Sequence, residues 1–158
     1  MKKTSPSGAP LPTTLGGPGE SPGFLLWRLS NAWQRRQRAA LAPFGLTHSQ
    51  FVLLATATWF GAQEALTQTR LADVAGVDVM TASQVLRTLE KAGLVSRTPH
   101  FPDSRAKAIV VTSAGRKKAQ AAIGAVEQAD ADFFAPVASR SKQLLQLFQD
   151  LAREHGPP

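Results

Sequence analysis

The 158-residue chain has no cysteine, which excludes disulfides, thiol redox sensing and thiolate zinc sites together and suits a cytoplasmic protein. Its three histidines, His48, His100 and His155, stand too far apart to form a short metal-binding pair. No metal and no cofactor are expected. No segment approaches the roughly 18 apolar residues that a membrane-spanning helix needs. The N-terminus carries Lys2 and Lys3 but no apolar run after them, so it does not read as a signal peptide. No serine sits in a pattern with His and Asp, and no glycine-rich loop follows a strand, so the chain does not read as an enzyme. Acidic residues are also scarce: 11 Asp and Glu face 18 Lys and Arg, for a net charge of +7. That balance favours a nucleic-acid partner over a basic protein, although the position of the charges has to decide.

What is present is a helix-forming composition. Apolar residues make up 43% of the chain, with alanine prominent among them. Residues 1–21 are rich in Pro, Gly, Ser and Thr without periodicity and are expected to form a disordered arm. Ser21-Pro22 reads as a helix start, with a side-chain cap and proline at the first turn. The helix it opens, about residues 22–41, places Leu25, Leu26, Leu29 and Trp33 on an apolar stripe. Pro43 and Gly45 then interrupt the chain, and Thr47 with Gln50 fits a capping box for a second, largely buried helix.

The densest signal lies between Arg70 and Val111. Thr67 caps a short third helix, Gly76 supplies the turn, and Asp78 caps a fourth helix that ends at Ala92-Gly93. Ala72 is small where the two helices cross, and Gly76 tolerates positive φ, as a helix-turn-helix requires. Val79, Val85, Leu86 and Leu89 fit the inner face of the fourth helix, which leaves Thr81, Ser83, Gln84 and Arg87 to reach base edges. Segments 94–98 and 107–111 read as two strands of a basic hairpin, with Arg97 and Lys107 beside a tip containing Asp103 and Arg105. An arginine on such a tip can enter a minor groove, steadied by the neighbouring carboxylate. Thr112 opens a long helix that Pro136 breaks, and a last helix carries Leu144, Leu145, Leu147, Phe148 and Leu151.

The expected fold is mainly α (α+β), a winged helix-turn-helix over about 47–112. Its two-stranded wing is flanked by dimerisation helices at about 22–41 and 113–154, within a domain spanning 22–158. The outer helices are too apolar to stand free, so a homodimer is expected.

The segments LTHSQFVLL, LADVAGVDVMTASQVLRTLEKAGLVSR and DSRAKAIVVTSAGR resemble the multiple-antibiotic-resistance regulator (MarR) family over about residues 22–155. The most specific pieces are the D-x-R tip, Asp103 and Arg105, and the Thr112 and Gly115 helix start. Val111-Thr112 departs mildly from the more usual Leu-Thr. The resemblance implies a winged-helix homodimer that binds a pseudo-palindromic operator, usually as a repressor. It also implies release by a small aromatic or phenolic effector in a crevice, which maps here to Trp27, Arg28, His48 and Phe51. The competing reading makes Trp27 and Phe51 core or interface residues and His48 a bystander of the capping box. The missing cysteine argues against peroxide sensing, and Val52 and Gln84 depart from the urate-responsive pattern.

Double-stranded DNA is therefore the expected partner, with no membrane. Two readings compete with sequence-specific regulation: a nonspecific architectural DNA-binding protein, and a winged-helix protein-interaction module.

Overall fold

A computed structural model describes residues 13–99 and 107–155. Six α-helices and a small sheet follow one another as α1 (Pro22–Leu41), α2 (His48–Phe60), β1 (Leu66–Thr67), α3 (Gln68–Val74), α4 (Val79–Lys91), β2 (Val95–Pro99), β3 (Lys107–Val111), α5 (Ser113–Phe134) and α6 (Ser141–His155). A 3-10 turn at Pro18–Glu20 occupies the end of the stretch assigned above to the arm and leads directly into the Ser21 cap.

The helix starts follow the capping chemistry. Ser21, Thr47, Thr67, Asp78 and Thr112 each accept a backbone N–H from the first turn of the helix they precede. These groups would otherwise lack partners, and each cap is worth about 1 kcal/mol. At Thr47 the capping box is complete, because the Gln50 side chain also accepts the Thr47 N–H at 2.9 Å. Gly76 turns α3 into α4 with φ of 66°, and Gly93 ends α4 with φ of 69°, both in the left-handed region where a side chain is strained.

The sheet is antiparallel in the order β1-β3-β2, with Leu66 opposite Ile109 and Val95 opposite Val111. The sequence reading has only the two wing strands. The third is two residues long, too short to show a period, and is defined by its pairing with β3. Leu41, Leu53, Leu54, Leu66, Leu71, Leu86 and Leu89 are fully buried and join α1 to α4 and the sheet in one core. Burying a side chain of this size stabilises by roughly 1.5–3 kcal/mol, so Leu86 and Leu89 hold α4 firmly in place.

Two joints fix α5 to the rest of the fold. On the wing side, the Thr112 N–H donates to the Leu94 carbonyl at 3.1 Å and its hydroxyl donates to the Gly93 carbonyl at 2.7 Å. A Cβ at Gly115 would collide with that same Leu94 carbonyl, so only glycine lets α5 start so close to the end of α4. On the other side, Asp130 of α5 accepts hydrogen bonds from Trp33 Nε1 and Gln37 Nε2 of α1, both at 2.6 Å. Arg36 adds a cation–π contact to Phe133 at 5.8 Å. By contrast, α6 has no buried residue among those described.

Candidate nucleic-acid interface

The exposed face of α4 follows from which residues the core consumes. Ala82, Leu86 and Leu89 are buried and Val85 packs against them. At 3.6 residues per turn, the opposite side carries Met80, Gln84, Arg87 and Lys91, and all four are exposed. Val79 does not belong to the inner face as the sequence reading has it. It is 44% exposed, because the helix begins there and the core-facing turn starts only at Ala82.

Gln84 and Arg87 therefore stand where the sequence reading has them, at the centre of the outward stripe. Ser83 is half-buried at its edge. Thr81 is also half-buried and committed locally: its N–H and hydroxyl donate to the two Asp78 oxygens at 2.8 and 2.6 Å. That pairing holds the Asp78 carboxyl below its usual range, with the Thr81 side-chain hydrogen bond as the largest cause.

Arg97 is likewise engaged within the fold. Its Nη1 donates to Gln68 Oε1 at 3.3 Å, and its Nε lies 3.3 Å from Glu90 Oε2, at ion-pair distance though off the hydrogen-bond direction. It braces the wing against α3 and α4. Lys107 is exposed on β3, opposite Pro99. Asp103 and Arg105 lie outside the described residues. Among the described residues no acidic group pairs with Arg87, Lys91 or Lys107, so the face presents free positive charge.

One link in this region has no counterpart in the sequence reading. Gln50 Nε2, whose amide oxygen completes the α2 capping box, donates to Thr88 Oγ1 of α4 at 2.9 Å. Gln50 and Thr88 are 38 residues apart, so only the tertiary fold brings them together.

Of the four residues assigned above to an effector crevice, Trp27 and Arg28 line one hollow along α1, and His48 and Phe51 lie apart from it. Phe51 is 6% exposed in the core, whereas Trp27 is 62% exposed on the outer side of α1. Arg28 lies over Phe24 of its own helix at 5.9 Å. His48 turns the other way and meets Trp33 edge-on at 4.9 Å between ring centroids. Helical geometry separates them: Trp33, Gln37 and Leu41 share the inward line of α1 at four-residue spacing, and Trp27 falls outside it. A different hollow, about 540 Å³, lies between the end of α2 and the start of α5. It is lined by Ala55, Trp59, Gln63, Arg116, Gln120 and Ile123, among others.

A helix-turn-helix with a free polar and cationic outer face, followed by a hairpin sheet, defines a winged-helix DNA-binding regulator. Comparison with known proteins makes this more specific. The MarR family model matches residues 46–107. The chain is 41% identical to the HTH-type transcriptional regulator YdcH of Bacillus subtilis (strain 168), over 87% of this chain and 93% of that protein. Among solved structures, the Mycobacterium tuberculosis MarR family protein Rv2887 in complex with salicylic acid is 31% identical, with a TM-score of 0.65 over 83% of this chain and 96% of that one. CouR from Rhodococcus jostii RHA1 bound to p-coumaroyl-CoA is 28% identical, with a TM-score of 0.75 over 86% and 94% of the two chains. CouR, a transcriptional repressor, has also been solved on a 23-mer DNA duplex. The chain belongs to the MarR family and is a transcriptional regulator.

Proposed function

We propose that the chain is a cytoplasmic repressor that binds a pseudo-palindromic operator as a homodimer and lets go when a small aromatic ligand binds. The observation that carries the reading is the outward stripe of α4. In this reading Gln84 and Arg87 face base edges, adenine and guanine being their bidentate partners, while Ser83 and Lys107 take phosphates and Asp103 and Arg105 add to the DNA contacts. Thr81 and Arg97 serve the face indirectly, one by capping α4 and the other by bracing the wing.

Dimerisation is supported by apolar surface with no cover inside the protomer. Leu26 and Leu29 of α1 are 63% and 55% exposed, and Leu145 and Leu151 of α6 are 57% and 58% exposed. Scattered exposed leucines are ordinary, but two helices of them mark an interface. Footprinting tests the whole reading. A dimer should protect two half-sites about one helical turn, roughly 10 base pairs, apart. Protection without symmetry favours an architectural protein, and no protection at all favours a protein-interaction module.

The effector part of the proposal takes its support from the relatives solved with salicylic acid and p-coumaroyl-CoA. Its site is placed in the hollow between α2 and α5. There Trp59 is 70% exposed, and Arg116 has no acidic partner among the described residues. A ring can lie on the indole while an acid group meets the guanidinium. Salicylate should quench tryptophan fluorescence and weaken operator binding, and Arg116→Ala should abolish both effects. Unchanged responses in Arg116→Ala would move the effector elsewhere.

A further inference from the structure

We infer that Met80 is a base-reading residue of α4 and that it recognises the 5-methyl group of a thymine in the major groove. The inference rests on the operator-binding reading above and adds a specificity determinant to it.

Met80 is 72% exposed, the most exposed of the large apolar residues described in this chain. It lies on the same outward line as Gln84 and Arg87, four and seven residues before them, and at the N-terminal end of the helix, the end that such motifs point at base edges. No polar side chain of the first turn competes for that place. The Asp78 carboxylate and the Thr81 hydroxyl are bonded to each other, and the core-facing positions are filled by Ala82, Leu86 and Leu89. Val79, 44% exposed, flanks Met80 and widens the apolar tip.

Chemistry selects the partner of such a tip. Edges of base pairs in the major groove present hydrogen-bond donors and acceptors, and the thymine methyl is the apolar exception. A methionine suits it because its unbranched, polarizable side chain adapts to an irregular surface. Gln84 and Arg87 would then read polar edges further along the groove, so that one stripe combines an apolar contact with two polar ones.

The test uses the full-length protein and a duplex selected by it from a random library. Each thymine of the selected site is replaced in turn by deoxyuridine, which removes only the methyl group. Covering one methyl is worth about fourfold in affinity, so a thymine in each half-site should show a loss of that order, up to roughly tenfold. Met80→Ala and Met80→Gln should bind the thymine and deoxyuridine duplexes alike, while Arg87→Ala should keep the difference. Circular dichroism establishes that each variant is folded, as expected for a residue so exposed. A symmetric selected site with no sensitive thymine, or a sensitivity that survives in both Met80 variants, overturns the assignment and leaves operator binding intact. Failure to select any sequence overturns both.

Discussion

Asp130 offers the sharpest test of how α5 is held to α1. One carboxylate oxygen accepts both the Trp33 indole N–H and the Gln37 amide, each at 2.6 Å. Gln37 is fully buried, and its own carbonyl oxygen already lacks a partner. Asp130→Ala would therefore strand two donors, each costing about 1–3 kcal/mol, for a total of roughly 2–6 kcal/mol. Asp130→Asn keeps a carbonyl acceptor but loses the charge assistance on both bonds, which should cost about 1–3 kcal/mol. The expected order of stability is wild type, then Asn, then Ala, measured by urea unfolding at one fixed protein concentration. In a chain of this length 1 kcal/mol moves Tm by about 2–4 °C, so Asp130→Ala should lower it by roughly 4–24 °C. Trp33→Phe combined with Asp130→Ala should cost less than the sum of the two single changes, because they remove the same bond. Loss of less than about 0.5 kcal/mol in Asp130→Ala, comparable to a neutral surface change, would show that neither donor depends on this carboxylate.

Other positions give independent checks. Gly115→Ala gains about 1 kcal/mol of helix propensity but drives a methyl group into the Leu94 carbonyl, so a net destabilisation of about 1–3 kcal/mol is expected, and a more stable variant would contradict it. Burial holds the His48 imidazole below its ordinary pKa, with Asp130 opposing the shift and Arg38 reinforcing it. The unfolded chain thus takes up this proton first as pH falls, and the stability His48 contributes is complete above about pH 6.5 and lost below it. His48→Gln should flatten the pH dependence of unfolding on the acid side of that value, and an unchanged slope would assign it to other groups. Arg87→Ala should cost about 1–3 kcal/mol at particular base positions, whereas Lys107→Ala should weaken all sequences alike and reduce the salt slope by about one unit. Equal losses on every duplex for both variants would remove Arg87 from base recognition.

The parts of the fold legible in the sequence are those governed by short-range chemistry. The caps at Ser21, Thr47, Thr67, Asp78 and Thr112 lie three residues from the N–H groups they satisfy, so their signal is local. The glycine turns at Gly76 and Gly93 are read in the same way, from the backbone conformation each position requires. With these punctuation marks in place, apolar periodicity is enough to find α4 and to set Gln84 and Arg87 on its outer face. Val79 marks the limit of periodicity as a signal. A helical period assigns a face to a residue but does not say whether the neighbouring element extends far enough to cover it.

Pairings across the fold were not legible, and they decide what several charged and polar residues do. Arg97 reads as a DNA contact because basic residues crowd around it in sequence. The tertiary fold brings Glu90 and Gln68 to it, and a guanidinium held between two such groups stiffens the wing. The residues read as an effector crevice are spread over the protomer for the same reason. Trp27, His48 and Phe51 are all large side chains near the first two helices, but one faces outward, one packs on Trp33 and one is buried in the core. What joins α1 to α5 is a carboxylate 97 residues from its indole partner and 93 from its amide partner, separations at which neither periodicity nor spacing carries a signal. Residue type and spacing thus locate the reading helix, whereas the groups that orient it are chosen by contacts that form only once the chain has folded.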